Sequence, residues 1–275
     1  MMLTRHMDLV GVTGIRVPIT REEVVFAHGE IPLGGGTWLF SEPQPGVTGL
    51  VDLTALDWDP ITITGDTLIV SATCTIAELS RLEARDEWPA HPLVNQCINS
   101  LLASFKIWNV ATVGGNICTA LPAGPMIALG AALDATALIW MAGAGERRMP
   151  LAQFVIGVRQ NELGPGEVLR AIEFSFDHLA ARTGFRRIAL SPLGRTGTMV
   201  IARLDPTGET VFTITGGTPR PRQLRFDSLP SAADLAKGIR EIDAWYTDPH
   251  GAADWRRHMS GQFAEELRIE LGGEA

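Results

Sequence analysis

The chain has 275 residues, 45% hydrophobic and 20% charged, with 29 glycines and 17 prolines, a globular make-up with room for two domains. A formal net charge of −8 disfavours a nucleic acid or an anionic membrane as the main partner. Cys74, Cys97 and Cys118 are scattered and odd in number, so they spell neither a metal site nor a disulfide framework and read as core thiols in a reducing cytoplasm.

The opening MMLTRHMDLVGV lacks the charged-then-apolar build of a signal peptide, and no apolar run has the length of a membrane span, so a cytoplasmic location is expected. Thr20 to Glu23 has the spacing of a capping box and predicts a short helix. EIPLGGGTWLF predicts a brief strand running into glycines, and GLVDLTAL (49–56) a strand. ITITGDTLIV predicts a hairpin over Gly65 and Asp66. A second capping box, Thr75 to Glu78, opens a helix to about Glu83. A further helix is expected over 91–104, before a turn at ATVGGN (111–116).

Pro125 suits the first helical position of PMIALGAAL, where its missing N–H is no loss. ATALIWM follows as a strand, GAGERR as a loop and EVLRAIEFSF (167–176) as a strand. The elements lack the regular alternation of a doubly wound parallel sheet. Beyond a boundary near 176–182 the pattern changes. Arg182 to Leu190 and a hairpin over Asp205 to Glu209 predict a small antiparallel sheet. Helices over about 231–246 and 254–271 back it, the first marked by a stripe of Ala232, Leu235, Ile239, Ile242 and Tyr246.

Glycine costs conformational entropy, so the runs GGGT (34–37) and TVGGN (112–116) need a reason. Each could be a tight turn. The alternative is a ligand lying against bare backbone and accepting from consecutive N–H groups, as a diphosphate does. Neither run fits the dinucleotide fingerprint or the phosphate loop.

PLGGGTWL, LVDLTAL, ATVGGNICTALPAG and ALGAALDATALI, in that order and spacing, resemble the FAD-binding subunit of molybdenum hydroxylases, the xanthine dehydrogenase and carbon monoxide dehydrogenase family. The resemblance implies an α+β chain. A two-subdomain FAD-binding fold of the vanillyl-alcohol oxidase type would occupy 1–176 (subdomains about 1–57 and 58–176), and a C-terminal antiparallel sheet with helices 177–275. It places FAD against Pro32, Leu33, Gly34, Gly35, Gly36, Thr37, Trp38 and Leu39, with Thr112, Gly114, Gly115 and Asn116 as the second wall. It further assigns Leu102 and Leu169 to the flavin or adenine, and Arg186 to the isoalloxazine ring. Two positions depart from the family: Pro125 stands where an Asp usually holds ribose, and Arg186 where Lys is commoner.

The same residues have plainer readings. Thr37 and Thr112 suit turn caps, Asn116 an Asx turn, Arg186 a solvated pair with Arg187, Trp38 a core or interface site, and Cys118 a core thiol. No residue is assigned to catalysis or metal. The resemblance implies an electron relay in which a large molybdopterin subunit and a small 2Fe–2S subunit supply electrons to this chain, which passes them to NAD or another acceptor. A stand-alone FAD-dependent oxidoreductase, or an assembly subunit that has lost FAD, are the rivals.

Overall fold

The structure, a computed structural model, describes Leu9 and residues 11–273. The opening segment up to Asp8, on which the signal-peptide reading rests, lies outside them. The chain begins with β1 (Gly14–Arg16), β2 (Glu30–Leu33) and β3 (Gly49–Asp52), which form a parallel sheet in the order β1-β3-β2. Next come β4 (Ile61–Thr64), β5 (Thr67–Ser71), α1 (Ile76–Leu79), α2 (His91–Asn99), α3 (Phe105–Trp108), α4 (Val113–Cys118) and α5 (Pro125–Ala132). After them run β6 (Thr136–Trp140), β7 (Glu146–Pro150), α6 (Leu151–Phe154), β8 (Val155–Gly157), β9 (Gln160–Asn161), β10 (Val168–Ser175) and α7 (Phe176–Leu179). Strands β4-β5-β10-β6-β7 make a five-stranded antiparallel sheet. The last part holds β11 (Arg182–Ile188), β12 (Thr198–Leu204), β13 (Thr210–Thr215) and β14 (Arg222–Phe226), an antiparallel sheet in that order, then α8 (Ala232–Glu241) and α9 (Ala253–Gly272). The α+β class is as expected.

Several local expectations are corrected. Thr20 makes no side-chain cap, and Arg21–Glu23 is a single 3-10 turn; Glu23 instead accepts from the Ile19 N–H at 2.7 Å. The Thr75–Glu78 capping box does form, but its helix stops at Leu79. The helix expected over 91–104 ends at Asn99, and the strand β7 begins inside the expected GAGERR loop. ATVGGN is no turn either. Thr112 caps α4 by accepting from the Gly115 N–H at 3.0 Å, and both glycines of the run are helical.

The C-terminal sheet decides the architecture because it is buried on both faces. Strand alternation sends Val200, Ala202, Phe212 and Ile214 toward α8 and α9, while Met199 and Ile201 join the core built on α2, α5 and the five-stranded sheet. Helix α5 is buried along its whole length between these layers. Its small residues permit the approach: a Cβ on Gly130 would stand 2.0 Å from the Leu151 side chain.

A charge network rivets the layers. Arg203 on β12, 1% exposed, donates to the Ala132 carbonyl at the end of α5 (2.8 Å), to Asp134 (2.6 Å) and to Asp205 (3.0 Å). Gln223 and Arg225 on β14 also donate to Asp134. Burial pushes the Asp134 carboxyl up, but hydrogen bonds from Arg225, Gln223 and Arg203 and the Arg203 charge outweigh it and hold the group at about 2. Its folded pKa thus lies below the ordinary carboxylate value near 4. The stabilisation, about 2 kcal/mol, is complete above about pH 4 and lost as pH falls toward 2. Denaturant midpoints measured from pH 5 down to 2 should fall for the wild type, and Asp134→Asn should flatten that fall.

Candidate functional site

Where the parallel sheet meets α4, a cavity of about 490 Å³ opens. Its walls include Pro32 to Leu39, Thr112, Gly115 and Asn116, together with Arg159 and Arg195. A second lobe of about 270 Å³ shares Leu101, Asn116, Leu121 and Arg195 with it, and adds Leu102, Gly124 and Pro125.

The glycines divide by what lies against them. A Cβ on Gly35 would stand 1.7 Å from the Val110 carbonyl oxygen, and one on Gly114 would meet the Ala72 Cβ at 2.5 Å. These two are bare because other parts of the chain press on them, which corrects the idea that a ligand explains every glycine. Gly36 has φ of +68°, a left-handed conformation that favours glycine. Gly34 and Gly115 are different: a Cβ on either would meet only the Thr112 side chain, at 2.9 and 2.8 Å. They flank that hydroxyl and leave the cavity wall open.

The donors follow from backbone accounting. In α4 the N–H groups of Val113, Gly114, Gly115 and Asn116 are all spent, on Cys74 O, Ala72 O, Thr112 Oγ1 and Thr112 O. This wall therefore offers a ligand shape rather than helix-end donors. The glycine loop is the reverse. Among the described residues, the N–H groups of Gly35, Gly36, Thr37 and Trp38 have no acceptor. Thr112 forms an antiparallel bridge with Thr75 whose hydrogen bonds run through the flanking residues, so its own N–H points away from that partner and is also unspent. Unspent amides on the residues that line a concavity are the material of an anion-binding site. A diphosphate with an aromatic ring system fits both the donors and the apolar lining, which includes Leu101, Ile107 and Leu121.

Asn116 serves the scaffold. Its Oδ1 accepts from the Met126 N–H at 3.0 Å, which ties α4 to the first turn of α5. Pro125 beside it presents neither a carboxylate nor an N–H to the second lobe. Cys118 lines the first lobe, and burial pushes its thiol up to about 12, which disfavours a thiolate at neutral pH. Two residues that line the lobes, Leu102 and Arg159, hold positive φ without being glycine (+46°, +57°). Such strain concentrates at ligand sites.

Other expected site residues lie elsewhere. Leu102 lines only the second lobe. Gly114 is packed on Ala72, just past β5, and Leu169 is 2% exposed in the sheet core. Arg186 is turned away. On β11, Phe185 faces the inner core while Gly184 and Arg186 face α9, where Arg186 pairs with Glu266 (3.0 Å) and Glu270 (2.7 Å). The period-2 alternation of the strand puts Arg187 on the inner side. Arg187 then fixes the following loop by donating to Gly194 O and Thr196 Oγ1, each at 2.7 Å. That loop carries Arg195, a cavity residue the sequence reading missed.

The whole fold is similar to solved structures. One chain of a cyanide-inactivated Cu,Mo-CO dehydrogenase matches 96% of this chain and 99% of its own length, with TM-score 0.81 and 20% identity. A chain of quinoline 2-oxidoreductase from Pseudomonas putida 86 matches 95% and 98%, with TM-score 0.76 and 20% identity. Among sequence relatives, xanthine dehydrogenase 1 of Arabidopsis thaliana is 34% identical over 110 residues, 38% of this chain and 8% of the relative. The matched segments span less than a tenth of the length of the curated relatives. A family model described as the FAD binding domain in molybdopterin dehydrogenase matches residues 27–174, a stretch holding both glycine runs, the unspent amides and all of α5. With that match over more than half of its length, this chain belongs to the FAD-binding domain family of molybdopterin dehydrogenases.

Proposed function

We propose that this chain is the flavin-carrying electron-transfer subunit of a multi-subunit, xanthine dehydrogenase-like molybdenum hydroxylase. It would work beside a large molybdopterin subunit and a small 2Fe–2S subunit, and hand electrons to NAD or another acceptor. The observation that carries this reading is the row of unspent amides from Gly35 to Trp38, on residues that line a cavity walled almost wholly by the family segment.

When bound, the flavin supplies the redox chemistry. The protein's residues bind and orient. The glycine loop and the Thr112 N–H would hold the diphosphate, Gly115 would leave it space, and Leu101, Ile107 and Leu121 would exclude water. The partners are part of the proposal, and the cysteine content of this chain is in keeping with them. Three cysteines cannot ligate a four-cysteine cluster, and all three are pushed by burial to thiol pKa values far above neutral.

The test is the purified chain without partners. It should bind FAD and show flavin absorbance, yet oxidise no purine, aldehyde or N-heterocycle. Turnover by flavin-loaded, partner-free protein would establish a stand-alone oxidoreductase instead, and a colourless chain that takes up no FAD would point to an assembly subunit.

A further inference from the structure

Backbone amides are dipoles, whereas a diphosphate carries formal charge, and this chain has a net charge of −8. A cation at the cavity would offset that field. Among the cavity's arginines, Arg159 is already engaged, with Glu42 at 3.8 Å and the Trp38 ring at 5.7 Å. Arg195 lines both lobes and has no acidic or hydrogen-bonding partner among the described residues. Its backbone is nonetheless held, because Arg187 grips the residues on either side of it, Gly194 and Thr196. The Arg187 guanidinium is half-buried and committed to this contact.

We infer that Arg195 is the cationic half of a diphosphate clamp whose other half is the amide row from Gly35 to Trp38, and that Arg187 is the positioning residue that aims it. The inference rests on the reading of this cavity as the FAD site. A guanidinium presents paired N–H donors that match phosphate oxygens, and it supplies the charge the amides lack. The clamp also assigns a task to the loop between β11 and β12, which brings Arg195 to a wall otherwise built by the family segment. It places the site's charge on the loop after the strand, where Arg186 cannot reach.

The experiment titrates the apo form of the full chain with FAD at low and high salt, followed by flavin fluorescence, for wild type, Arg195→Gln, Arg187→Gln and the double variant. Far-ultraviolet circular dichroism checks that each is folded. Arg195→Gln should weaken FAD by about tenfold at low salt. The gap should narrow at high salt, because an exposed charge is screened. Arg187→Gln should weaken FAD in the wild-type background and add little once Arg195 is gone, a coupling that a merely structural role would not produce. Equal affinity of wild type and Arg195→Gln at low salt, or a loss independent of salt, overturns the clamp and leaves the cavity reading standing. Additive losses from the two variants overturn the positioning role. A wild type that binds no FAD overturns the cavity reading and the clamp with it.

Discussion

Gly35→Ala should cost this protein both stability and its cofactor. The new methyl would stand 1.7 Å from the Val110 carbonyl oxygen, deep inside contact distance, and a backbone oxygen cannot rotate away as a side chain would. The loop at Val110 and Ala111 must retreat, and it leads directly into Thr112, the N-cap of α4. Overpacking of this kind costs about 1–3 kcal/mol and more where backbone must move, so about 3 kcal/mol is expected here. FAD should be lost as well, since the displaced walls are those that carry the free amides. Gly115→Ala is the informative contrast. Its methyl would press only on the Thr112 hydroxyl, at 2.8 Å, so stability should fall by about 1 kcal/mol as the cap weakens. Thermal melts with and without FAD and the flavin absorbance of the purified variants measure both quantities. A Gly35→Ala protein with the wild-type melting temperature and a full complement of flavin would refute the packing argument.

Arg203→Met should be the most destabilising change away from the cavity. Methionine fills much of the volume but leaves the Ala132 carbonyl, Asp134 and Asp205 without the guanidinium that joins them. Removing one partner of a buried charged network costs about 3–5 kcal/mol, because the remaining charges stay desolvated. Denaturant unfolding should show the unfolding free energy falling by that amount, with the midpoint falling in proportion. Because Arg225 and Gln223 still hold Asp134, a loss below about 1 kcal/mol would mean that these two suffice.

The class of fold and one wall of the candidate cavity were legible in the sequence for identifiable reasons. Pro32 to Leu39 is continuous in the chain, so a local motif reports it completely. The Thr75–Glu78 capping box is also a local device, and it formed as expected. ATVGGN misled because paired glycines read as a turn, whereas tertiary contacts override propensity: Val113 and Gly114 are hydrogen-bonded to Cys74 and Ala72 and so held in a helix. Arg186 misled by one residue. Strand parity is set by which neighbour is buried, and Phe185 is the inward residue. With that parity, Arg187 becomes the inner arginine. Arg195 was not legible, because a loop residue between two strands carries no periodic signal, and only the tertiary fold brings it within reach of a glycine loop far earlier in the chain.

The segment from Ala189 to Gly197 springs from a sheet whose two faces are both covered, one by α8 and α9 and the other by the body that bears the glycine loop. A chimaera that exchanged only the C-terminal portion between relatives would therefore exchange the loop that carries Arg195 while leaving the glycine loop unaltered. Under the proposed clamp, tightness of cofactor retention and the shape of its seat would be inheritable separately, the first through the C-terminal third of the polypeptide and the second through the rest.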